Sequence, residues 1–155
     1  MTPSETSPRL AVRAVILDDQ QRLLLVNAWA KGSDLMCAPG GGVHLHEALP
    51  EALIREVREE TGLEITVGPV CLVNEFHAPG KDFHQVDVYF RARIESGQIS
   101  AAWQDVDQVV KTRRWVDRAT FKRLHVKPDS LEAVAWGSDR DGDAITYDPL
   151  EPLVK

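Results

Sequence analysis

Long apolar runs, a disulfide framework and a surplus of basic charge are all missing from this sequence. No stretch reaches the ~18 consecutive apolar residues that a membrane-spanning helix needs, so no span is expected. Residues 1–8 are polar, hold no signal-peptide-like apolar core, and are expected to form a flexible leader. A cytoplasmic location follows as the default expectation. Cysteine occurs only at positions 37 and 71, with no C-x-x-C pair, and both residues have apolar neighbours. Cys37 and Cys71 are therefore expected to be buried reduced thiols, not a disulfide or metal ligands. With 18 basic against 24 acidic side chains the net charge is −6, which argues against long nucleic acid as a partner. An acidic protein still binds a small polyanion where a divalent cation supplies local positive charge. There is no internal repeat and no low-complexity tract.

What is present fits one soluble domain: 155 residues, 43% apolar and 27% charged. Residues 10–17 and 22–27 are apolar runs around the charged turn 18–21 and predict a β-hairpin. Residues 30–35 read as a loop. Pro39-Gly40-Gly41-Gly42 is the strongest break in the chain, and its glycines allow the backbone to approach a ligand closely. A helix is predicted over residues 49–61, with Leu49, Leu53 and Val57 as its buried stripe, Pro50 in its first turn and Gly62 as C-cap. Strands are predicted at 64–76, 83–94 and 113–116, with a loop at 77–82 and short helices at 118–124 and 130–136. The tail from Gly137 reads as a peripheral loop packed on or near the domain. The order of elements gives a mixed-sheet α/β domain.

The chemistry concentrates in Arg55-Glu56-Val57-Arg58-Glu59-Glu60-Thr61-Gly62-Leu63. On a helix, Glu56 lies three residues from Glu59 and four from Glu60, so the three carboxylates share one face. Like charges at that spacing repel, and glutamates at a helix C-terminus oppose the macrodipole. A bound cation would relieve both, and hard oxygen ligands suit Mg²⁺, Mn²⁺ or Ca²⁺. Arg55 can pair with Glu59 four residues on, while Arg58 is expected to face solvent. Taken alone, the cluster reads equally well as a solvated, salt-bridged helix face.

The flanking residues remove that ambiguity. Gly41, five residues, Glu47, seven residues and the block from Arg55 to Leu63 together resemble the complete signature of the Nudix hydrolase family. Residues 11–17 and 23–26 look like that family's opening hairpin, and Arg114-Trp115-Val116 like its late strand, so the resemblance covers roughly residues 9–136. It implies a Nudix-type α/β/α sandwich with a mixed β-sheet, and Mg²⁺-dependent cleavage of a diphosphate linkage in a nucleoside diphosphate derivative, with Mn²⁺ as an alternative ion. It further implies that Glu56, Glu59 and Glu60 bind metal and that Glu47 supports the site. Arg55 would orient the acidic residues, and Gly40, Gly41 and Gly42 would shape the phosphate pocket. Either Glu59 or Glu56 would take a proton from the attacking water. A non-catalytic, Nudix-like nucleotide-binding module is the alternative reading, and a homodimer is compatible with either.

Several positions depart from the family's usual pattern. His46 stands where glycine is common, and His44 and Leu45 where acidic residues and proline are common. Lys111 and Thr112 occupy a stretch that often carries an extra carboxylate; Asp105 and Asp107 are the substitutes at hand. His44 and His46 alternate as on one strand face, which suits a surface role or a substrate contact better than zinc, for which the usual further ligands are missing. Pro79, sixteen residues past Leu63, resembles the subset of the family acting on ADP-ribose, although a Pro-Gly turn explains it equally. Lys81 stands where dinucleoside-polyphosphate hydrolases carry tyrosine. Of the aromatic side chains, Trp29, just ahead of the glycines, is the preferred base-stacking candidate; Phe83 and Tyr89 fit the core better, and Trp103 has no assigned role.

Overall fold

The computed structural model describes residues 7–27, 33–99, 112–137 and 144–152. Among these residues, seven strands and three helices follow in the order β1 (Arg9–Ile16), β2 (Leu23–Asn27), β3 (Gly40–Gly42), α1 (Leu49–Thr61), β4 (Glu64–Ala78), β5 (Phe83–Ser96), β6 (Thr112–Val116), α2 (Arg118–Phe121), α3 (Leu131–Trp136) and β7 (Thr146–Pro152). A five-stranded sheet runs β3-β1-β5-β4-β7, and β2 pairs with β6 in a second, two-stranded sheet. The large sheet is mixed: β1 lies parallel to β5 and β7 parallel to β4, while β1–β3 and β4–β5 are antiparallel.

Alternation along β1 sorts its side chains between two cores. Val12, Ala14 and Ile16 meet Ala52, Leu53 and Val57 of α1. On the other face, Val15 packs with Tyr89 of β5 and with Leu131, Val134 and Ala135 of α3. Helices thus cover both faces of the sheet, the α/β/α sandwich that the sequence predicts. Among the described residues no helix is long and apolar enough to cross a membrane.

Helix α1 has the predicted bounds. Pro50 opens it at a position where no intrahelical N–H is needed, and Gly62, at φ 77°, ends it by donating to the Arg58 carbonyl. The predicted opening hairpin is only partly formed. The Asp18 side chain accepts from the Gln20 and Arg22 amides, and a single bridge, Leu17 to Leu23, closes the turn. Beyond it β2 leaves β1 and pairs with β6 from Leu23–Val116 to Asn27–Thr112. The reason is that β1 is buried between two other partners, β3 and β5, and has no free edge to offer. The segment after Gly137 is not only loop: residues 146–152 add β7 to the sheet's edge, with prolines at two of the strand's seven positions. Helix α2 stops at Phe121, three residues short of prediction. Both cysteines are buried, and burial pushes the Cys71 thiol up to about 11.

Candidate functional site

The last turns of α1 and the glycine strand β3 face each other. Glu60 is buried, and its Oε1 accepts from the Gly40 amide at 2.8 Å. Arg113 of β6 donates through Nε to the Glu60 main-chain carbonyl. Gly41 lies directly against Glu56: a Cβ there would fall 2.5 Å from the Glu56 carboxylate. Gly40 is more restricted still, with φ +156° and a hypothetical Cβ 1.9 Å from the Val12 carbonyl oxygen.

Arg55 organises the cluster. Its Nε and one terminal nitrogen grip the two oxygens of Glu47, each at 2.8 Å. The other terminal nitrogen donates to Glu56 at 2.9 Å, and the Gly42 carbonyl is reached at 3.1 Å. Glu59, the partner that helix spacing offers Arg55, stands further off at 3.6 Å. The fork geometry of a guanidinium suits one carboxylate held in bidentate fashion, and Glu47 at the loop-to-helix junction supplies it. Arg55 and the Gly40 amide thus already offset part of the repulsion that the spacing of the three carboxylates implies. Among the described residues no three His, Cys, Asp or Glu side chains converge into a ready-made cation cage.

The Arg55 hydrogen bonds, with the His44 amide, draw the Glu47 carboxyl down from the usual range near 4.5 to about 2. Burial acts the other way on Glu56 and leaves its carboxyl raised despite its bond to Arg55. A depressed carboxyl stabilises the fold above its unfolded pKa and loses that contribution as pH falls toward its folded value. The melting-temperature gap between wild type and Glu47→Gln is therefore expected to be widest near neutrality and to close between about pH 4.5 and pH 2. A gap that stays constant across a melting series from pH 7 to pH 2.5 would contradict this.

His44 and His46 do not share a strand face. Residues 43–48 form a turn in which the Glu47 amide donates to the His44 carbonyl, the His44 amide donates to Glu47 Oε1, and His46 adopts φ 69°. Arg58 faces solvent, paired with Glu64 at 2.7 Å. Pro79 is exposed in the turn between β4 and β5, and no described hydrogen bond or ion pair connects that turn to the carboxylates. Tyr89 is core, at 1% exposure. Trp29, Trp103, Asp105, Asp107 and Lys111 lie outside the described residues; Thr112 opens β6.

A polar row on the opposite face of the sheet escaped the sequence reading. Arg9 donates to Gln85 at 2.7 Å, and Gln85 donates to Asp87 at 2.7 Å. Asp87 in turn lies 3.6 Å from Arg13 Nε, while another nitrogen of Arg13 donates to the Ala38 carbonyl at 3.0 Å. Gln85 and Asp87 are buried, as is Asn74 across the β4–β5 ladder from Asp87. Burial is the largest single influence and disfavours the Arg13 charge, but Asp87, Cys37, Tyr89 and Glu60 together outweigh it and its pKa is raised. The sequence carries a signal for this row: Arg9 and Arg13 on β1, and Gln85 and Asp87 on β5, fall at even spacings within apolar strands. Arg13, Asn74 and Asp87 line a small cavity of about 40 Å³, together with Leu35, Lys127, Pro128 and Pro152.

Comparison with known proteins adds three findings. The model of the NUDIX domain matches residues 7–137. An ADP-ribose pyrophosphatase of Methanocaldococcus jannaschii is 30% identical over 96 residues, a match that spans 61% of this chain and 56% of that protein. Solved structures share the fold. A UDP-X diphosphatase superposes with TM-score 0.70 at 20% identity, covering 94% of this chain and 68% of that one. An ADP-ribose pyrophosphatase from Streptococcus suis gives 0.66 at 18% identity, covering 92% of this chain and 100% of its own.

Proposed function

This chain belongs to the NUDIX domain family, and from that premise we propose that it is a divalent-metal-dependent pyrophosphohydrolase acting on a nucleoside diphosphate derivative, with an ADP-ribose-like substrate favoured. The observation that carries the reading is the arrangement of Glu56, Glu59 and Glu60 on one helix face against a strand of three glycines. The substrate preference rests on the name of the M. jannaschii relative and on Pro79.

Members of the family generally use divalent metal ions. Glu56, Glu59 and Glu60 would hold the ion; their oxygens are hard donors, and the missing Cβ of Gly41 lets the Glu56 carboxylate lie against β3. Mg²⁺ is the proposed ion, with Mn²⁺ as substitute. When bound it neutralises diphosphate charge and acidifies a water. The chain's own residues then have separate tasks. Glu47 and Arg55 hold Glu56 in place, so Arg55 acts as a positioning residue. The Gly40 amide fixes Glu60. Gly41 and Gly42, half-buried on β3, would shape the phosphate pocket beside the carboxylates. Glu59 or Glu56 accepts the proton of the attacking water. As the new O–P bond forms, the bridging P–O bond breaks, and the leaving phosphate departs with the electron pair.

Hydrolysis of ADP-ribose, UDP-sugars and nucleoside triphosphates, followed by phosphate-coupled assay, tests the reading. Chelation with EDTA is expected to lower turnover of the preferred substrate more than ~100-fold, with recovery on adding Mg²⁺. Turnover indifferent to EDTA would remove the metal from the proposal. No metal-dependent turnover across the panel would favour the binding module.

A further inference from the structure

Two hydrogen bonds that fix Glu60 come from outside its helix. The Gly40 amide donates to its carboxylate, and Arg113 of β6 donates through Nε to its main-chain carbonyl. Arg113 stands 53 residues further along the chain, well past the block that ends at Leu63. Its bond meets a need that α1 cannot meet from its own residues. The last four carbonyls of a helix have no intrahelical partner. At this end the Gly62 amide goes to the Arg58 carbonyl, and the Leu63 amide turns to the Thr61 hydroxyl. Four residues past Glu60 the chain has already entered β4 at Glu64. Arg58, the basic residue of the last turn, is paired with Glu64 in solvent. A positively charged donor suits a helix C-terminus, and β6 supplies one.

Arg113 and Gly40 belong to one hydrogen-bonded frame. Val26 of β2 is the register partner of Arg113 on one side and bridges Cys37 on the other, through bonds of 2.8 and 2.9 Å. Cys37 lies three residues before Gly40, and between them the Pro39 carbonyl accepts from the Ala14 amide of β1 at 2.9 Å. Trp115, two residues after Arg113 and so on the same face of β6, packs into the core with Ala52, Leu53 and Val57 of α1. That face of β6 is thereby turned toward the helix. We propose that Arg113 is a positioning residue for the metal site. Together with the Gly40 amide it holds Glu60 by its main chain and its side chain at once, and so sets the last turn of α1 where Glu59 and Glu60 meet the ion. The inference rests on the metal-dependent reading, and its test requires no turnover.

Binding of Mn²⁺ to the full chain, followed through the electron paramagnetic resonance of the free ion, provides the test. Arg113→Met is expected to weaken Mn²⁺ about 10-fold, and Arg113→Lys about 3-fold because an ammonium does not reproduce the oriented Nε donor. The sign separates this role from two others. Arg113 is a cation, so if it acted on the ion through charge alone, Met would tighten Mn²⁺ and Lys would leave it unchanged. If it only stabilised the fold, both variants would melt lower while the folded protein bound Mn²⁺ as wild type does. Either pattern would overturn the proposal. Arg114→Met removes the neighbouring, exposed charge of β6 and is expected to leave Mn²⁺ affinity unchanged; an equal loss there would also overturn it. Should Arg113→Met fail to fold, Arg113→Lys decides alone: weaker Mn²⁺ supports the proposal and unchanged affinity overturns it. Wild-type protein that bound no Mn²⁺ would bring down the metal-dependent reading and this inference with it. Normal binding by wild type and variants alike would remove only the role of Arg113.

Discussion

Glu56→Gln is expected to cut kcat by about 10²–10⁴, the range for removing a positioned proton acceptor. It should do so without harming the fold. Glutamine keeps the oxygen that accepts from Arg55 at 2.9 Å and differs mainly in charge. Burial already raises the Glu56 carboxyl, so its ionised form weakens the metal-free protein at neutral pH. The sign follows from linkage: a raised acid costs stability once pH exceeds its unfolded pKa, and a neutral amide removes that cost. In the absence of metal the variant should melt at or above the wild-type temperature. Steady-state kinetics of ADP-ribose hydrolysis, run beside thermal denaturation, checks both halves. Wild-type kcat would show that Glu56 neither holds the ion nor accepts the proton. A large fall in melting temperature would make the kinetic loss uninformative about chemistry, and Glu59→Gln would then be the variant to examine.

The second large effect is on folding. Gly40→Ala places a methyl 1.9 Å from the Val12 carbonyl oxygen and 2.8 Å from Arg13 Cα, both backbone atoms of the central strand β1. Neither can move without disrupting the β1 ladders. The residue also holds φ +156°, a region nearly restricted to glycine. Overpacking and backbone strain each cost about 1–3 kcal/mol, and together they approach the lower end of the ~5–15 kcal/mol that holds a domain folded. Urea denaturation should show a loss of at least ~3 kcal/mol, or the variant should be recovered only as aggregate. Gly80→Ala is the matched control. It has φ +85° but nothing within 4 Å of the added methyl, so about 1 kcal/mol is expected. Similar losses at both positions would show that dihedral strain, not the collision with β1, governs Gly40.

The contrast between the two glycines shows what a sequence can and cannot convey. A run of three glycines announces close approach, but not which atoms approach. Helix α1 was fully legible because its apolar period, Pro50 and the Gly62 cap are all local features. The pairing of β2 with β6 was not, since the choice depended on β1 having both edges occupied by segments from elsewhere in the chain. Spacing correctly placed Glu56, Glu59 and Glu60 on one face. It could not show that Arg55 turns chiefly to Glu47, a partner before the helix starts. The row from Arg9 through Gln85 and Asp87 to Arg13 was missed for a related reason. Polar residues alternating along a strand ordinarily face water, whereas here Leu35, the Lys127–Pro128 segment and Glu151–Pro152 border Arg13 and Asp87.

The outer strand of the sheet has a further consequence. At Pro149 and Pro152, β7 offers no amide hydrogen to an incoming chain. A neighbouring molecule trying to extend the sheet along this border would find gaps in the donor series it needs, which protects the folded protein against fibril-like stacking in crowded surroundings.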